Sequence, residues 1–126
     1  MKIHLITNCT SSKSSKLKHD VKIKDICDKT HSPSKKWLDK IQSQKDLVAA
    51  IDVYVGDHWS KVNEAYNLGF PVWVVSAGYG LIRAKQEISS YDATFNGNHK
   101  NSVSKFFSGE SLAEKNISWW NKINIF

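Results

Sequence analysis

Two cysteines, two prolines, one methionine and a single arginine are all that this 126-residue chain holds of those residue types. Cys9 and Cys27 are too few to build the disulfide framework of a small secreted domain, and neither lies in a Cys-x-x-Cys pair or near a histidine at metal-ligand spacing. Reduced thiols and no metal site are the expectation. No apolar run approaches the ~20 residues that a membrane-spanning helix needs, and the first apolar segment is too short for a signal peptide. A soluble, cytoplasmic protein without a membrane partner is therefore expected. The length excludes a second full-sized domain and points to one unit over residues 1–126.

What the chain does hold is a core. Apolar residues make up 40% and charged residues 24%, and five tryptophans lead the aromatics, so general disorder is excluded. The net charge is +6, and its distribution is uneven. Residues 1–45 carry eleven lysines against four aspartates, whereas residues 46–126 carry seven basic and eight acidic side chains. Such a local surplus attracts phosphate-bearing partners through Coulomb steering and counterion release. The same surplus also fits a plain preference for lysine as the surface residue, since arginine is the better group for bidentate contacts.

The apolar, β-branched run of residues 2–8 predicts a first strand ending in small polar residues. Residues 9–33 lack a clean period and predict a long basic loop with a helical turn near Val21–Cys27. Ser32-Pro33-Ser34 opens a helical pattern running from 34 to about 50, with Trp37, Ile41, Leu47 and Val48 on one face. Residues 51–55 read as a strand or strand-like connector stopped by Gly56, and Asp57–Leu68 as a capped helix. Residues 71–76 form the clearest strand, and its continuous apolar run predicts burial on both faces, as in a parallel sheet flanked by helices. Residues 94–105 read as exposed. An amphipathic segment follows from Phe106, and the aromatic and Ile-x-Ile-Phe ending implies either a strand pairing within the sheet or a chain shortened relative to its relatives. The fold class expected is α/β, a Rossmann-like three-layer sandwich with a mostly parallel central sheet.

In such a sheet ligands bind beyond the carboxyl ends of the strands. Two loops qualify. Cys9, Thr10 and Lys13 follow the first strand with the small side chains, donors and positive charge that an anion site uses, although a solvated polar loop has the same composition. Ser76-Ala-Gly78-Tyr79-Gly80 follows the second, where two glycines allow positive φ and close approach of backbone to a ligand, or simply a tight turn. Asp92, next to Tyr91, is the candidate carboxylate near this turn and is suited to handling a proton, although such an aspartate also serves simply to cap a turn. His19 and His58 are the histidines of interest, His58 more as a cap than as a ligand.

These residues carry a resemblance. Cys9-Thr-Ser-Ser-Lys13, Val53-Tyr54-Val-Gly56, Ser76-Ala-Gly-Tyr-Gly80-Leu-Ile82 and Tyr91-Asp92 resemble the C-S-x-x-K, L-Y-x-G, S-A-x-x-G-L and Y-[DE] elements of an uncharacterised family of small bacterial and phage domains, in order, over about residues 3–95. That family is distantly similar to the archaeosine synthase catalytic domain, which acts on a deazaguanine nitrile in tRNA, and to the YaaA peroxide-stress family, which associates with DNA. The resemblance implies site residues Cys9, Thr10, Lys13, Ser76, Gly78, Gly80 and Asp92, with Tyr91 as a packing or stacking neighbour. Asn8 and Thr10 stand where the archaeosine synthase loop has Pro and Ser, so that particular reaction is not implied.

Three functions are then open. One is a nucleotide or nucleobase site between the Lys13 loop and the 77–80 turn. There Lys13 neutralises a phosphate or acts as an amine, the turn's N–H groups steady negative charge, and Asp92 moves a proton. Another is a DNA- or RNA-binding surface made of Lys16, Lys18, Lys22, Lys24, Lys35 and Lys36, with aromatic contacts from Trp37. The last is a silent subunit docking through an exposed aromatic end at Trp119 and Trp120.

Overall fold

A computed structural model describes residues 2–10, 13, 21–27, 31–107 and 111–124. Strand β1 (Leu5–Asn8) pairs in parallel with the next long strand, Val72–Ser76, and that strand pairs antiparallel with Gly80–Arg83. Between the first two lie a short strand β2 (Val21–Lys22), helices α1 (Ile23–Cys27) and α2 (Pro33–Gln42), strand β3 (Val48–Ala49), and helices α3 (Ala50–Val53) and α4 (Asp57–Asn67). The strands at Val72–Ser76 and Gly80–Arg83 are β4 and β5, followed by β6 (Glu87–Ile88), β7 (Tyr91–Asp92), a 3-10 turn at Val103–Phe106 and helix α5 (Leu112–Ile123). Two small ladders complete the pairing, β2 with β7 in parallel and β3 with β6 antiparallel.

The expected Rossmann-like sandwich is overturned by this topology. The main sheet has three strands in the order β1-β4-β5 and is mixed, so among the described residues there is no extended parallel central sheet. Two local causes account for the difference. Gly80, at φ +84°, reverses the chain directly after β4, so β5 returns as a hairpin partner where a doubly wound fold would send a helix. Residues 51–55 pattern as a strand or strand-like connector, but residues 51–53 coil instead into α3 (Ala50–Val53), burying Ala50, Ile51 and Val53.

The burial of β4 differs from expectation as well. Val72, Val74 and Ser76 face the core with Ile82 of β5, while Trp73 and Val75 are half-buried on the other side. Strand alternation places Ile6, Trp73 and Arg83 in register across that second face. Ile6 there is 69% exposed, while Trp73 and Val75 on the same face are half-buried.

Helix α2 begins as the sequence indicates, with Pro33 in the first turn, but stops at Gln42 rather than near 50. Ser43 Oγ and Gln44 Nε2 both donate to the Lys40 carbonyl, and this side-chain competition for a terminal acceptor closes the helix early. Helix α5 is started by an N-cap in which Ser111 Oγ accepts from the Glu114 N–H. The expected strand at the end of the chain is helical through Ile123; residues 125 and 126 lie outside the described residues.

The core is organised by indoles. Trp37, Trp59 and Trp119 are all but fully buried, and each indole N–H donates to a backbone carbonyl: Trp37 to Gly78, Trp59 to Ile51 and Trp119 to Ala77, at 2.7–2.8 Å. Each ring contributes roughly 4–6 kcal/mol of apolar burial, at ~25 cal/mol/Å² for ~150–250 Å², as an upper estimate. The hydrogen bonds fix where the rings sit. Because Trp119 is sealed against the 76–80 turn, it is not an exposed docking residue; Trp120 is half-buried against Phe95. Residues 101–104, expected to be exposed, are buried instead.

Candidate functional site

After β1 the chain continues along the sheet, the Cys9 N–H donating to the Val75 carbonyl at 3.1 Å. Thr10 Oγ1 donates to the Val55 carbonyl at 3.2 Å, and Lys13 forms an isolated antiparallel bridge with Tyr54. These contacts fold the segment over the junction between α3 and α4. The Lys13 ammonium thereby lies 4.8 Å from the centre of the Tyr91 ring and 5.7 Å from that of Tyr54. Two phenol faces hold a cation by their quadrupoles and fix its position.

Beneath the ammonium runs a buried hydroxyl chain. Ser76 Oγ accepts the Gly78 and Tyr79 N–H groups at 3.2 and 3.0 Å, which fills both its lone pairs. Its own O–H is then left to donate to Tyr91 Oη at 2.6 Å, and Tyr91 in turn donates to Tyr54 Oη at 2.7 Å. Burial, with the neighbouring Tyr54 and Cys9, pushes the Tyr91 phenol well above its ordinary range, and burial does the same to Tyr54. Both remain neutral and structural.

A polar cup of about 290 Å³ opens beside this chain, lined by Cys9, Thr10 and Lys13 from the first loop and by Asp92, Ala93, Thr94, Asn96 and His99 from the segment after β7. The short β2–β7 ladder carries Asp92 here, with its backbone opposite Lys22. The 94–102 segment is shaped by its own side chains. Thr94 Oγ1 accepts from the Asn96 N–H, Asn96 Oδ1 from the Asn98 N–H, and His99 Nδ1 from the Asn101 N–H at 3.0 Å. That last bond puts the neutral His99 proton on Nε2, a donor.

Four residues singled out in the sequence, Cys9, Thr10, Lys13 and Asp92, thus meet in one cavity. The 76–80 turn does not line it. The Gly78 and Tyr79 N–H groups are spent on Ser76 Oγ, so they are not free to steady charge on a ligand. Gly78 has no positive φ; it is glycine because a Cβ there would lie 2.7 Å from the Tyr91 ring. Gly80 takes the positive φ and abuts Asn124. Tyr79 Oη bonds Ser89, and its ring borders a separate cavity with Leu38, Ile41 and Ile123. Tyr91 is a wall of the Lys13 seat and is wholly buried.

Of the lysine surface, Lys22, Lys24, Lys35 and Lys36 are exposed, while Lys16, Lys18 and His19 lie outside the described residues. Trp37 is buried and offers no aromatic contact to a nucleic acid. His58, at the first turn of α4, is 2.7 Å from Thr7 Oγ1 and ties that helix to β1. Cys9 and Cys27 are unbridged; the Cys27 thiol donates to the Pro33 carbonyl, and burial pushes it up to about 12, a packing residue. Among the described residues no helix is long and apolar enough to cross a membrane.

Thr94, Asn96 and His99 were missed in the sequence. The signal available was the Thr-x-Asn-x-Asn-His spacing of turn-forming side chains directly after Tyr91-Asp92. No family model, curated protein or solved structure matches this chain.

Proposed function

We propose that the cup binds a nucleobase or a small nucleotide. The observation that carries this reading is the convergence of Cys9, Thr10 and Lys13 with Asp92 and His99 in one cavity, although some eighty residues separate the two segments. The volume, about 290 Å³, lies at the lower end of the ~300–1,000 Å³ range of ligand pockets and fits a base or mononucleotide rather than a dinucleotide. The chemistry is that of a base edge and a phosphate. Asp92 accepts from a ring or exocyclic N–H, His99 Nε2 donates to a ring nitrogen or carbonyl, and the Lys13 ammonium, seated on two phenol rings, neutralises phosphate. The Thr10 and Thr94 side chains border the same space and suit ribose or carbonyl oxygens.

The test is calorimetric titration of the whole chain with free nucleobases and with nucleoside monophosphates. Saturable binding is expected, reduced at least about tenfold by Lys13→Ala for the phosphorylated ligands and by Asp92→Asn for all of them. Heats that do not saturate with any of these ligands, or affinities that both variants leave intact, would rule the reading out.

A further inference from the structure

Strand β1 is one edge of the three-stranded sheet and β5 is the other. The Leu5 N–H donates to the Pro71 carbonyl at 2.8 Å and the Cys9 N–H to the Val75 carbonyl at 3.1 Å, so the odd residues of β1 turn their backbone toward β4. The even ones, Ile6 and Asn8, turn theirs off the sheet. Among the described residues neither of these two N–H groups donates to a protein acceptor, and both residues are exposed.

The opposite edge is closed. On β5 the Leu81 N–H is taken by Asn124 Oδ1 at 3.2 Å, and the exposed Arg83 puts a charge on the same border. Sheets blunt an open edge with lysine, proline or a bulge, because an unpaired strand is a template for another. Strand β1 uses none of these. Its register on β4 runs from Leu5–Val72 to Asn8–Val75 without a bulge. Eleven lysines fall in residues 1–45, yet residues 3–12 contain no lysine, arginine, aspartate, glutamate or proline.

We infer that β1 pairs antiparallel with β1 of a second copy of this chain, joining two three-stranded sheets into one of six strands. The outward backbone groups fix the register: Ile6 exchanges both hydrogen bonds with Ile6 of the other copy across a two-fold axis, and Asn8 falls opposite His4. The exposed Ile6 side chains then lie side by side, a favourable cross-strand pair. Charge agrees with this arrangement. Lys2 falls opposite Thr10, so no two lysines face each other, whereas a parallel in-register pairing would set Lys2 against its own copy. A foreign strand could form the same backbone bonds, but the edge carries no charge by which to select one. A strand of four residues makes a small contact, below the ~1,200 Å² of stable complexes, so the dimer is a weak one with a dissociation constant of about 100 μM. The inference rests on the sheet edge alone and not on what the cup binds.

The experiment is sedimentation of the full chain from about 5 μM to about 1 mM, with amide hydrogen exchange followed by NMR over the same range. A monomer passing to a dimer is expected, with protection of the Ile6 and Asn8 amides rising alongside. Ile6→Lys sets like charges face to face and should raise the dissociation constant at least about tenfold. Asn8→Pro removes an N–H that β4 does not use, so it should spare the β1–β4 ladder and block association to a similar degree. Ile117→Lys, an equally exposed change on α5, should leave association within about twofold. A monomer throughout the range, or growth beyond a dimer, would overturn the inference. So would a dimer that Ile6→Lys and Asn8→Pro leave intact, or one that forms without added protection at Ile6 and Asn8.

Discussion

The two loops that looked alike in the sequence, Cys9–Lys13 and Ser76–Gly80, fold into opposites. In the turn at 76–80 the chain consumes its own polar groups: Ser76 Oγ takes two N–H groups, Trp37 caps the Gly78 carbonyl and Trp119 the Ala77 carbonyl. In the cup, Lys13, Asp92 and His99 line one cavity and come from two segments far apart in the chain. A glycine-rich turn after a strand is therefore no oxyanion site until its donors have been counted. Here the glycines serve packing and reversal, and the polar side chains that line a cavity come from the first loop and from the segment after β7.

That contrast predicts a hierarchy of costs, and the largest belongs to the sealed turn. Trp37→Ala removes a wholly buried ring and orphans the Gly78 carbonyl, so urea denaturation should show a loss of about 3–5 kcal/mol, with Trp119→Ala close to it. A loss under about 1 kcal/mol would mean that the turn is not held by its indoles.

The next effect sharpens the point within the glycines themselves. Gly78→Ala puts a Cβ against the Tyr91 ring and should cost about 1–3 kcal/mol by overpacking, read from the same denaturation curves. Gly69→Ala meets nothing within 4 Å and bears only the strain of φ +95°, about 1 kcal/mol. A reversed order would show that backbone conformation, and not the closeness of Tyr91, makes residue 78 a glycine.

Alkali probes the hydroxyl chain beneath Lys13. Burial raises Tyr54, Tyr79, Tyr91 and Cys27, the last from its ordinary value of 9.0 to about 12. Each group holds its proton more tightly folded than unfolded, so the unfolded chain releases protons first as pH rises. The stability these groups contribute is complete below about pH 9 and declines as pH climbs through the raised values. Urea midpoints measured from about pH 7 to about pH 11 should fall on the alkaline side; a flat profile would mean that the phenols are more hydrated than the packing around Tyr91 indicates.

Much of this was legible before any coordinates, and the reason is local chemistry. The strand at β4, the helix at α4, the Pro33 start of α2 and the short helix after Val21 follow from period and punctuation. Lys13 could be named because it follows a strand that ends in polar residues, and Asp92 because it is a carboxylate beside Tyr91 near the 76–80 turn. What was hidden depends on long-range partners. Residues 50–53 have β-branched composition but become helical where Trp59 and the sheet bury them, and Gly80 turns β5 back onto β4 where a crossover pattern was expected. The destination of the Gly78 and Tyr79 N–H groups could not be read either, because a serine two residues upstream competes with any ligand for them. The cup needed the β2–β7 ladder, two residues on each side and too short to show a period.

The smallest effect is the most discriminating. Lys13 is half-buried on Tyr54 and Tyr91, a cation–π seat worth about 0.5–1 kcal/mol, and nothing else in the cup packs like the indoles of the turn. Lys13→Ala should accordingly lower stability by no more than about 1 kcal/mol, a small shift in urea midpoint, while abolishing phosphate-dependent binding in the cup. Residues kept for packing show the reverse pairing, a large loss of stability with no ligand to lose. Should Lys13→Ala instead destabilise the chain as much as Gly78→Ala, the ammonium would be a structural plug over the Tyr91 ring, and the cup would join the turn as a sealed part of the core.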